Sequence, residues 1–427
     1  SYHLYFSTML FGSSGIRQIF AQPLLSLAPR VGAAVARDAK RVMLGTDART
    51  SRSILADAVA SGLVSAGAEV IYGEICPTPT VAIAAGSADA GVMITASHNP
   101  EAYNGIKLFR PDGSSYTLAQ QEMIESRIAD SVWSDWNALG SLRHADLITP
   151  HKEKILAAVS VPEDQTIVVD CGNGAGGRVT PDVLSASGAK VIPVNCDTSG
   201  VFARPSEPLE KNLLHVPKII RSRGASCGVV NDGDADRMMA FDNRGRYIDG
   251  DHMLMLFAKY LDAKDVVTTA DASMAIEEIA NVRRTPVGDS FVSEELISWG
   301  EFGGEPSGSW VFPKHSLCPD GPYAAALFCE IAGEWDVAAE LDAMPRYPIL
   351  RDAVMTPKGR EILTRLGAEN PTDGIRITEE SGWCLVRASG TEPKVRCTAE
   401  GKTNEDAARM LALGMDRIHA VLHELKE

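Results

Sequence analysis

Three carboxylates alternate within one short stretch, GVVNDGDADRMMAFD, where Asp232, Asp234 and Asp236 follow directly on an apolar run. Held on one loop they would repel one another unless a hard cation neutralised them, and Mg²⁺ is the usual occupant of such an all-oxygen site. An Asp-rich turn is the plain alternative, and a calcium EF-hand loop is the rival metal site. The EF-hand fails, because its sixth position calls for glycine and holds Arg237, while its twelfth calls for glutamate and holds Asn243. A second stretch, MITASHNPEAYNGIKL, runs from β-formers into Ser97-His98-Asn99-Pro100. Proline lacks the ladder N–H and pushes its predecessor out of the α region, so the apolar run ends there and leaves the Ser97 hydroxyl on a tight, exposed loop. In α/β sheets that position, at the carboxyl end of a strand, is where ligands bind and reactive side chains stand.

Two further stretches suit an anion and a sugar. In LVRASGTEPKVR, Gly390 lets successive N–H groups converge, Ser389 and Thr391 add hydroxyls, and Arg387 and Arg396 add guanidinium forks, as an oxyanion such as phosphate requires. An ordinary hairpin turn with solvated charges explains the same residues. FGGEPSGSW puts Glu305 and Ser307 on a glycine-rich turn, where carboxylate and hydroxyl suit sugar hydroxyls. A fifth stretch competes: VVDCGNGAGG spaces Gly172, Gly174 and Gly177 as G-x-G-x-x-G, and Asp197 follows at the end of the next apolar run, as a dinucleotide fold would have it. A lone match of this kind more often marks a tight strand-to-helix turn. Taken alone, Lys107 in NGIK reads as a loop ion pair, and His98 as a histidine that stabilises its turn.

These residues sit on a recurring unit of short apolar strand, polar turn and amphipathic stretch. RVMLGTD leads through SRSILADAVASGLVSAG to AEVIYGE, TIVVDCGNG through VTPDVLSASG to AKVIPVN, and DVVTTAD into MAIEEIANV, which predicts α/β layers with crossover helices. From about residue 345 the pattern changes to RITEESGWCLVRASG, KVRCTAEG and a long amphipathic run, NEDAARMLALGMDRIHAVLHELKE, which predicts two adjacent strands and a helix.

A chain of 427 residues has room for several domains, and 45% hydrophobic with 23% charged residues is an ordinary globular composition. The formal net charge of −15 opposes nucleic acid and anionic membrane surfaces as partners, so an anionic substrate would need a local basic pocket. Eight cysteines without a Cys-x-x-Cys pair suggest neither zinc nor a disulfide framework, and a reducing cytoplasm is the simplest setting. No apolar run approaches the roughly 18 residues of a membrane span. The opening SYHLYFST has no charged or long apolar region of the kind a secretory leader carries and is set aside from fold reasoning.

Taken together, the four leading stretches resemble the α-D-phosphohexomutase family, whose order of motifs runs through this chain from about residue 10 to residue 400. TASHNP is similar to the family's phosphoserine loop, DGDADR to its magnesium loop, GEPSG to its sugar-binding loop, RASGTEP to its phosphate-binding loop, and FGSSGIR to its opening segment. The resemblance implies an α/β fold of four domains around a central cleft. Three would be related α/β/α domains with mixed sheets, over 9–149 with the phosphoserine loop, 150–249 with the metal loop and 250–344 with the sugar loop; the fourth, 345–427, would be a two-layer α+β domain that binds phosphate.

It further implies that Ser97 is carried as a phosphoserine, that one Mg²⁺ is held by Asp232, Asp234, Asp236 and an oxygen at Ser97, and that Arg17 and Arg237 add positive charge nearby. His98 and Lys107 would move protons to and from the sugar hydroxyl, Glu305 and Ser307 would contact the sugar, and Arg387, Ser389, Gly390, Thr391 and Arg396 would hold the phosphate that is not transferred. A sugar 1,6-bisphosphate would serve as intermediate and activator, in a cytoplasmic monomer or homodimer.

Two positions depart from the family: Gln18 stands where glycine commonly follows the opening arginine, and Ser309 where a histidine often follows the sugar-loop Ser-Gly. TPVGDSFV, with Gly288 and Asp289, looks more like the phosphoglucosamine mutase branch than the phosphoglucomutase and phosphomannomutase branch, which implies a hexosamine phosphate with Asp289 near its amino group. From another class, an NAD-dependent oxidoreductase would rest on Gly172, Gly174, Gly177 and Asp197 alone and leaves Ser97 and the aspartates unexplained. An idle sugar-phosphate binder would lack Ser97 or an aspartate, and none is missing.

Overall fold

Runs of β-branched residues bounded by glycine, proline and aspartate form strands, and the amphipathic stretches between them form the helices that cover the sheets. The computed structural model describes residues 10–12, 15–369, 373–389 and 393–425. Four sheets follow one another along the chain, each with its own helical cover, and they make four α/β domains.

The first sheet contains β1 (Ile16–Ile19), β2 (Arg41–Thr46), β3 (Glu69–Ile75), β4 (Ala90–Ile94), β5 (Tyr103–Phe109) and β6 (Ser141–His144), in the order β1-β5-β4-β2-β3-β6. The second contains β7 (Thr166–Asp170), β8 (Lys190–Val194), β9 (Cys227–Asn231), β10 (Met238–Phe241) and β11 (Tyr247–Ile248), in the order β11-β10-β9-β7-β8. The third contains β12 (Asp265–Thr269), β13 (Asn281–Thr285), β14 (Phe302–Glu305) and β15 (Ser309–Val311), in the order β13-β12-β14-β15.

The same device recurs in all three. A parallel core ends in an antiparallel pair, β4–β5, β9–β10 and β14–β15, and the turn of each pair carries one of the chemically loaded motifs. Ser97 lies between β4 and β5, the aspartates between β9 and β10, and Ser307 between β14 and β15. Antiparallel neighbours can be joined by short turns, whereas parallel ones need a crossover, so these turns are the places where the chain doubles back at a sheet end.

The fourth sheet is wholly antiparallel: β16 (Ile349–Met355), β17 (Ile375–Glu379), β18 (Gly382–Ala388) and β19 (Lys394–Gly401), in the order β16-β19-β18-β17. Cys384, Val386, Val395 and Cys397 point to one face and pack with Met410 and Ile418 of the helix Asn404–Glu424, forming a two-layer unit with a core of its own. It has two more strands than the sequence pattern predicts. One continuous apolar core runs through the other three domains, from Val81 and Phe109 through Val168 and Val229 to Phe257 and Phe302, and separate clusters remain in the first around Leu24, Leu44 and Leu63 and in the third around Val267 and Val292.

The helix Gly321–Glu334, which follows β15, packs on β9, β10 and the helix Thr180–Ala186 of the second domain. Its Gly321 N–H donates to the Ala235 carbonyl at 3.0 Å, so it also braces the aspartate turn. MAIEEIANV forms only a 3₁₀ turn over Met274–Glu278 before β13, because so short a connection leaves no length for a full crossover helix. Among the described residues, no helix is long and apolar enough to cross a membrane.

Candidate active site

The Ser97 loop departs from expectation: Ser97 is 1% exposed, not displayed to solvent. A segment of the second domain covers it. Ser206 donates its hydroxyl to the Ser97 carbonyl at 3.3 Å and accepts the Gly233 N–H at 2.9 Å, tying the serine loop to the aspartate turn. A side-chain carbon on Gly233 would lie 2.8 Å from the Ser97 carbonyl oxygen, so the two loops meet this closely only because that residue is glycine. Ser97 itself has φ +51, in the left-handed region that costs an L-residue about 1–2 kcal/mol. Its N–H donates to Thr95 Oγ1 at 2.8 Å, and its Oγ donates to Asp232 Oδ2 at 3.0 Å.

The three aspartates are buried, with ligand atoms within 4.8 Å of one another. Lys107, projecting from β5, ion-pairs with Asp234 Oδ2 at 2.8 Å and Asp236 Oδ2 at 2.7 Å. Thr78 donates to the same Asp234 oxygen at 2.5 Å. Asp232 accepts from Ser97 at Oδ2 and from the Arg237 N–H at Oδ1, 3.2 Å. Asp234 Oδ1 and Asp236 Oδ1 are buried and have no hydrogen-bond partner among the described residues.

The electrostatics match this geometry. Burial, then Asp236 and Asp234, push the Asp232 carboxyl well above the usual range, and burial and Asp234 raise Asp236. Burial also works against the charge on Asp234, but Lys107 and Thr78 outweigh it and hold that carboxyl below its ordinary value. Lys107 loses favour through burial and regains more from Asp234 and Asp236, so its ammonium is held more firmly than usual. Three buried carboxylates that disfavour one another's charge and keep two bare oxygens are a donor set that fits a hard divalent cation.

The remaining expected residues surround this centre unevenly. Arg17 Nη1 reaches Asn99 Oδ1 at 3.4 Å. His98 keeps a buried Nδ1 without a partner among the described residues, and burial, reinforced by Arg237 and Arg17, pushes its ring down to about 2, so it is neutral. Arg237 lies between the domains, close enough to Glu305, Asp232, Asp236 and Asp289 to be stabilised by each. Glu305 closes β14, and burial pushes its carboxyl up to about 7 against the pull of Arg237. Ser307 occupies the turn that follows, and Asp289 opens the helix Asp289–Leu296. Ser309 stands opposite Glu305 in the β14–β15 ladder and is buried, and Gln18 pairs regularly with Asn104 in the β1–β5 ladder, so both departures from the family sit in ordinary strand geometry.

Arg387 and Arg396 face each other directly across β18 and β19, on the side away from the covering helix, and Ser389 lies just beyond β18. Gly390 and Thr391, like the serines of FGSSGIR, lie outside the described residues. The GNGAGG turn offers no anion cradle: the Gly172, Gly174, Ala175 and Gly177 N–H groups donate to Asp170, Cys171, Gly233 and Gly174. It packs against the aspartate turn as a connection. Sequence reasoning missed Thr78 and Ser206, whose only local signals are hydroxyls in proline-rich stretches, CPTPT and ARPSEP.

Comparison with known proteins agrees along the chain. Residues 8–134, 145–245 and 249–347 match family models described as phosphoglucomutase/phosphomannomutase, alpha/beta/alpha domains I, II and III, and residues 351–416 match that family's C-terminal domain. A probable phosphoglucosamine mutase of Methanocella arvoryzae is 41% identical over 421 residues, covering 94% of this chain and 96% of that protein. A phosphoglucosamine mutase of Methanococcus maripaludis is 36% identical over 441 residues, covering 96% and 98%. Among solved structures, a phosphoglucomutase/phosphomannomutase family protein of Burkholderia thailandensis superposes with TM-score 0.83 at 24% identity over 98% of both chains. N-acetylphosphoglucosamine mutase of Aspergillus fumigatus, in complex with GlcNAc-6P and magnesium, superposes with TM-score 0.59 at 15% identity, covering 96% of this chain and 95% of that one. The two structural likenesses bear on the fold.

Proposed function

The chain belongs to the phosphoglucomutase/phosphomannomutase family, and we propose that within it the protein is an isomerase of the phosphoglucosamine mutase type, moving a phosphoryl group between O6 and O1 of a hexosamine phosphate by way of Ser97. The observation that carries the chemistry is the Ser97 hydroxyl set on Asp232, 3.0 Å away, beside two buried carboxylate oxygens without partners. A hydroxyl so held is poised to carry a phosphoryl group next to a cation.

In the forward half-reaction the bond between phosphorus and Ser97 Oγ breaks as a bond to the sugar hydroxyl oxygen forms. The hydroxyl proton passes to the protein; we assign its uptake to His98, whose ring is neutral and whose Nδ1 has no partner among the described residues, and the return of a proton to Lys107, which is held as an ammonium. The resulting bisphosphate turns over, and its other phosphate returns to Ser97. Mg²⁺, held by Asp232, Asp234, Asp236 and an oxygen on Ser97, would neutralise charge on the transferring group. Arg17 and Arg237 add to that positive field, Glu305 and Ser307 take sugar hydroxyls, and Arg387, Ser389, Gly390, Thr391 and Arg396 of the domain we take as 345–427 hold the other phosphate. Asp289, near Arg237 and Glu305, favours a positively charged 2-amino group over a hydroxyl. All eight cysteines are free thiols, which supports a cytoplasmic setting; we take small molecules as the substrates and a monomer or homodimer as the working form.

Intact mass after incubation with glucosamine 1,6-bisphosphate and Mg²⁺ should gain one phosphoryl group. Ser97→Ala should gain none and lose nearly all turnover, because alanine removes the acceptor and little else. A Ser97→Ala enzyme that retains more than a few per cent of turnover would end this reading.

A further inference from the structure

We propose that Arg49 is a positioning residue for phosphoryl transfer, holding the backbone of the Ser97 loop so that the Ser97 hydroxyl stands against the aspartates; this rests on Ser97 being the phosphoryl carrier. Arg49 follows β2 and is 1% exposed. A guanidinium has five N–H donors, and all five are used. Nε donates to Asp47 Oδ2 at 3.0 Å, Nη1 to the carbonyls of Pro100 at 2.6 Å and Tyr103 at 2.9 Å, and Nη2 to those of Ser97 at 2.8 Å and Asn99 at 2.7 Å. Four carbonyls, three from the Ser97 loop and one from the start of β5, thus converge on a single planar cation, without which their dipoles would oppose one another.

The arrangement closes into a ring through Ser97. Asp47 balances the Arg49 charge and takes the Thr95 hydroxyl at 2.6 Å, Thr95 Oγ1 takes the Ser97 N–H, and the Ser97 carbonyl returns to Arg49. Both peptide groups flanking Ser97 are therefore fixed by one connected frame, which holds a φ that serine ordinarily avoids. The second domain seals the frame from outside: the Phe202 ring lies 5.4 Å from the guanidinium, and a side-chain carbon on Gly200 would fall 1.9 Å from the Ala48 carbonyl oxygen. Every N–H of the Arg49 guanidinium is already donated within the protein and none is left for substrate, so its effect on the reaction passes through Ser97.

Arg49→Lys separates charge from geometry, since an ammonium has three donors at one point and cannot span four carbonyls and a carboxylate. Thr95→Val breaks the same ring on its other side while keeping the shape. The test measures Ser97 phosphorylation by glucosamine 1,6-bisphosphate in single turnover by intact mass, kcat and KM for glucosamine phosphate, and thermal unfolding by circular dichroism, all with Mg²⁺. Both variants should slow phosphorylation and kcat together, Arg49→Lys by about 100-fold, the loss expected when a reacting group is misplaced by about 1 Å, with KM little changed. If Arg49→Lys does not fold, Thr95→Val decides. A folded variant that is phosphorylated and turns over at the wild-type rate, or one in which only KM moves, overturns the inference. Wild-type protein that gains no phosphoryl group overturns the Ser97 reading and this inference with it, whereas phosphorylated wild type beside an undiminished Arg49→Lys overturns the positioning role alone.

Discussion

Replacing Asp234 by asparagine sets two demands on one side chain against each other. Oδ2 of Asp234 accepts from Lys107 Nζ at 2.8 Å and Thr78 Oγ1 at 2.5 Å, and Oδ1 is the buried oxygen left for a cation. An asparagine has one acceptor oxygen and an NH₂ that only donates. If the oxygen stays with Lys107 and Thr78, the NH₂ replaces Oδ1 and offers a cation no lone pair; if the amide turns over, the NH₂ confronts an ammonium and a hydroxyl. The first orientation is favoured, because it keeps a bond to a charged donor worth about 1.5–3 kcal/mol and a neutral one worth about 1 kcal/mol. Assigning the lost carboxylate–cation contact the same 1.5–3 kcal/mol gives a Mg²⁺ affinity lower by about 10- to 150-fold. Titration calorimetry and the Mg²⁺ dependence of turnover measure this directly, and thermal unfolding in EDTA separates loss of metal from loss of fold. Wild-type half-saturation by Mg²⁺ in a folded Asp234→Asn protein would refute the reasoning, because Oδ1 would then not be a ligand.

Asp320 accepts from His151 Nε2 at 2.7 Å and His315 Nε2 at 2.8 Å in full burial, and caps the helix that braces the aspartate turn through the Tyr323 N–H. Asp320→Asn keeps the cap but removes the charge, and should lower unfolding free energy by about 3 kcal/mol in urea; a loss below about 1 kcal/mol would remove the histidines' role. Burial raises the Asp320 carboxyl, but the two histidines outweigh it and hold it far below its usual value. A depressed carboxylate stabilises above its unfolded value of about 3.9, so this increment should fade only in acid below about pH 4 and be missing from the asparagine variant. Arg396→Ala should raise KM for the sugar phosphate by about 10- to 150-fold, the worth of about 1.5–3 kcal/mol in charge-assisted bonds, and collapsed kcat with unchanged KM would put it at the chemical step instead. Among glucosamine, glucose and mannose phosphates, kcat/KM should be highest for glucosamine phosphate and Asp289→Ala should narrow the gap; a preference for glucose or mannose phosphate untouched by that change would reassign the sugar.

What the sequence makes legible here is local. The Asp232–Asp236 spacing and Ser97 before Pro100 are short-range patterns whose chemistry can be argued without partners, and the strand-turn-helix alternation predicts the layered sheets. The burial of Ser97 is not local: it depends on Ser206 and Gly233, brought from another domain. The pairing of Lys107 with Asp234 and Asp236 depends likewise on β5 meeting the β9–β10 turn. Thr78, Arg49 and the His151–Asp320–His315 cluster carry no pattern of their own, since a single threonine or histidine in a chain says nothing until its partner is found. The 3₁₀ turn at Met274–Glu278 shows the converse, a locally helical pattern overruled by the length of its connection.

The contacts that assemble the candidate active site close across 135 residues for Ser97 with Asp232, 127 for Lys107 with Asp234 and 156 for Thr78 with Asp234. Long-range closure of this kind is slow, because loop entropy is lost before the contact repays it. During synthesis the whole first sheet, through His144, exists before any of the three aspartates has been made. Until they arrive, Lys107 is a cation headed for burial without its counter-charges, and the aspartates, once made, are mutually repelling anions without theirs. Each half is thus incomplete alone and complementary to the other, so docking of the first two domains must pair these charges in the same event that closes the apolar core they share.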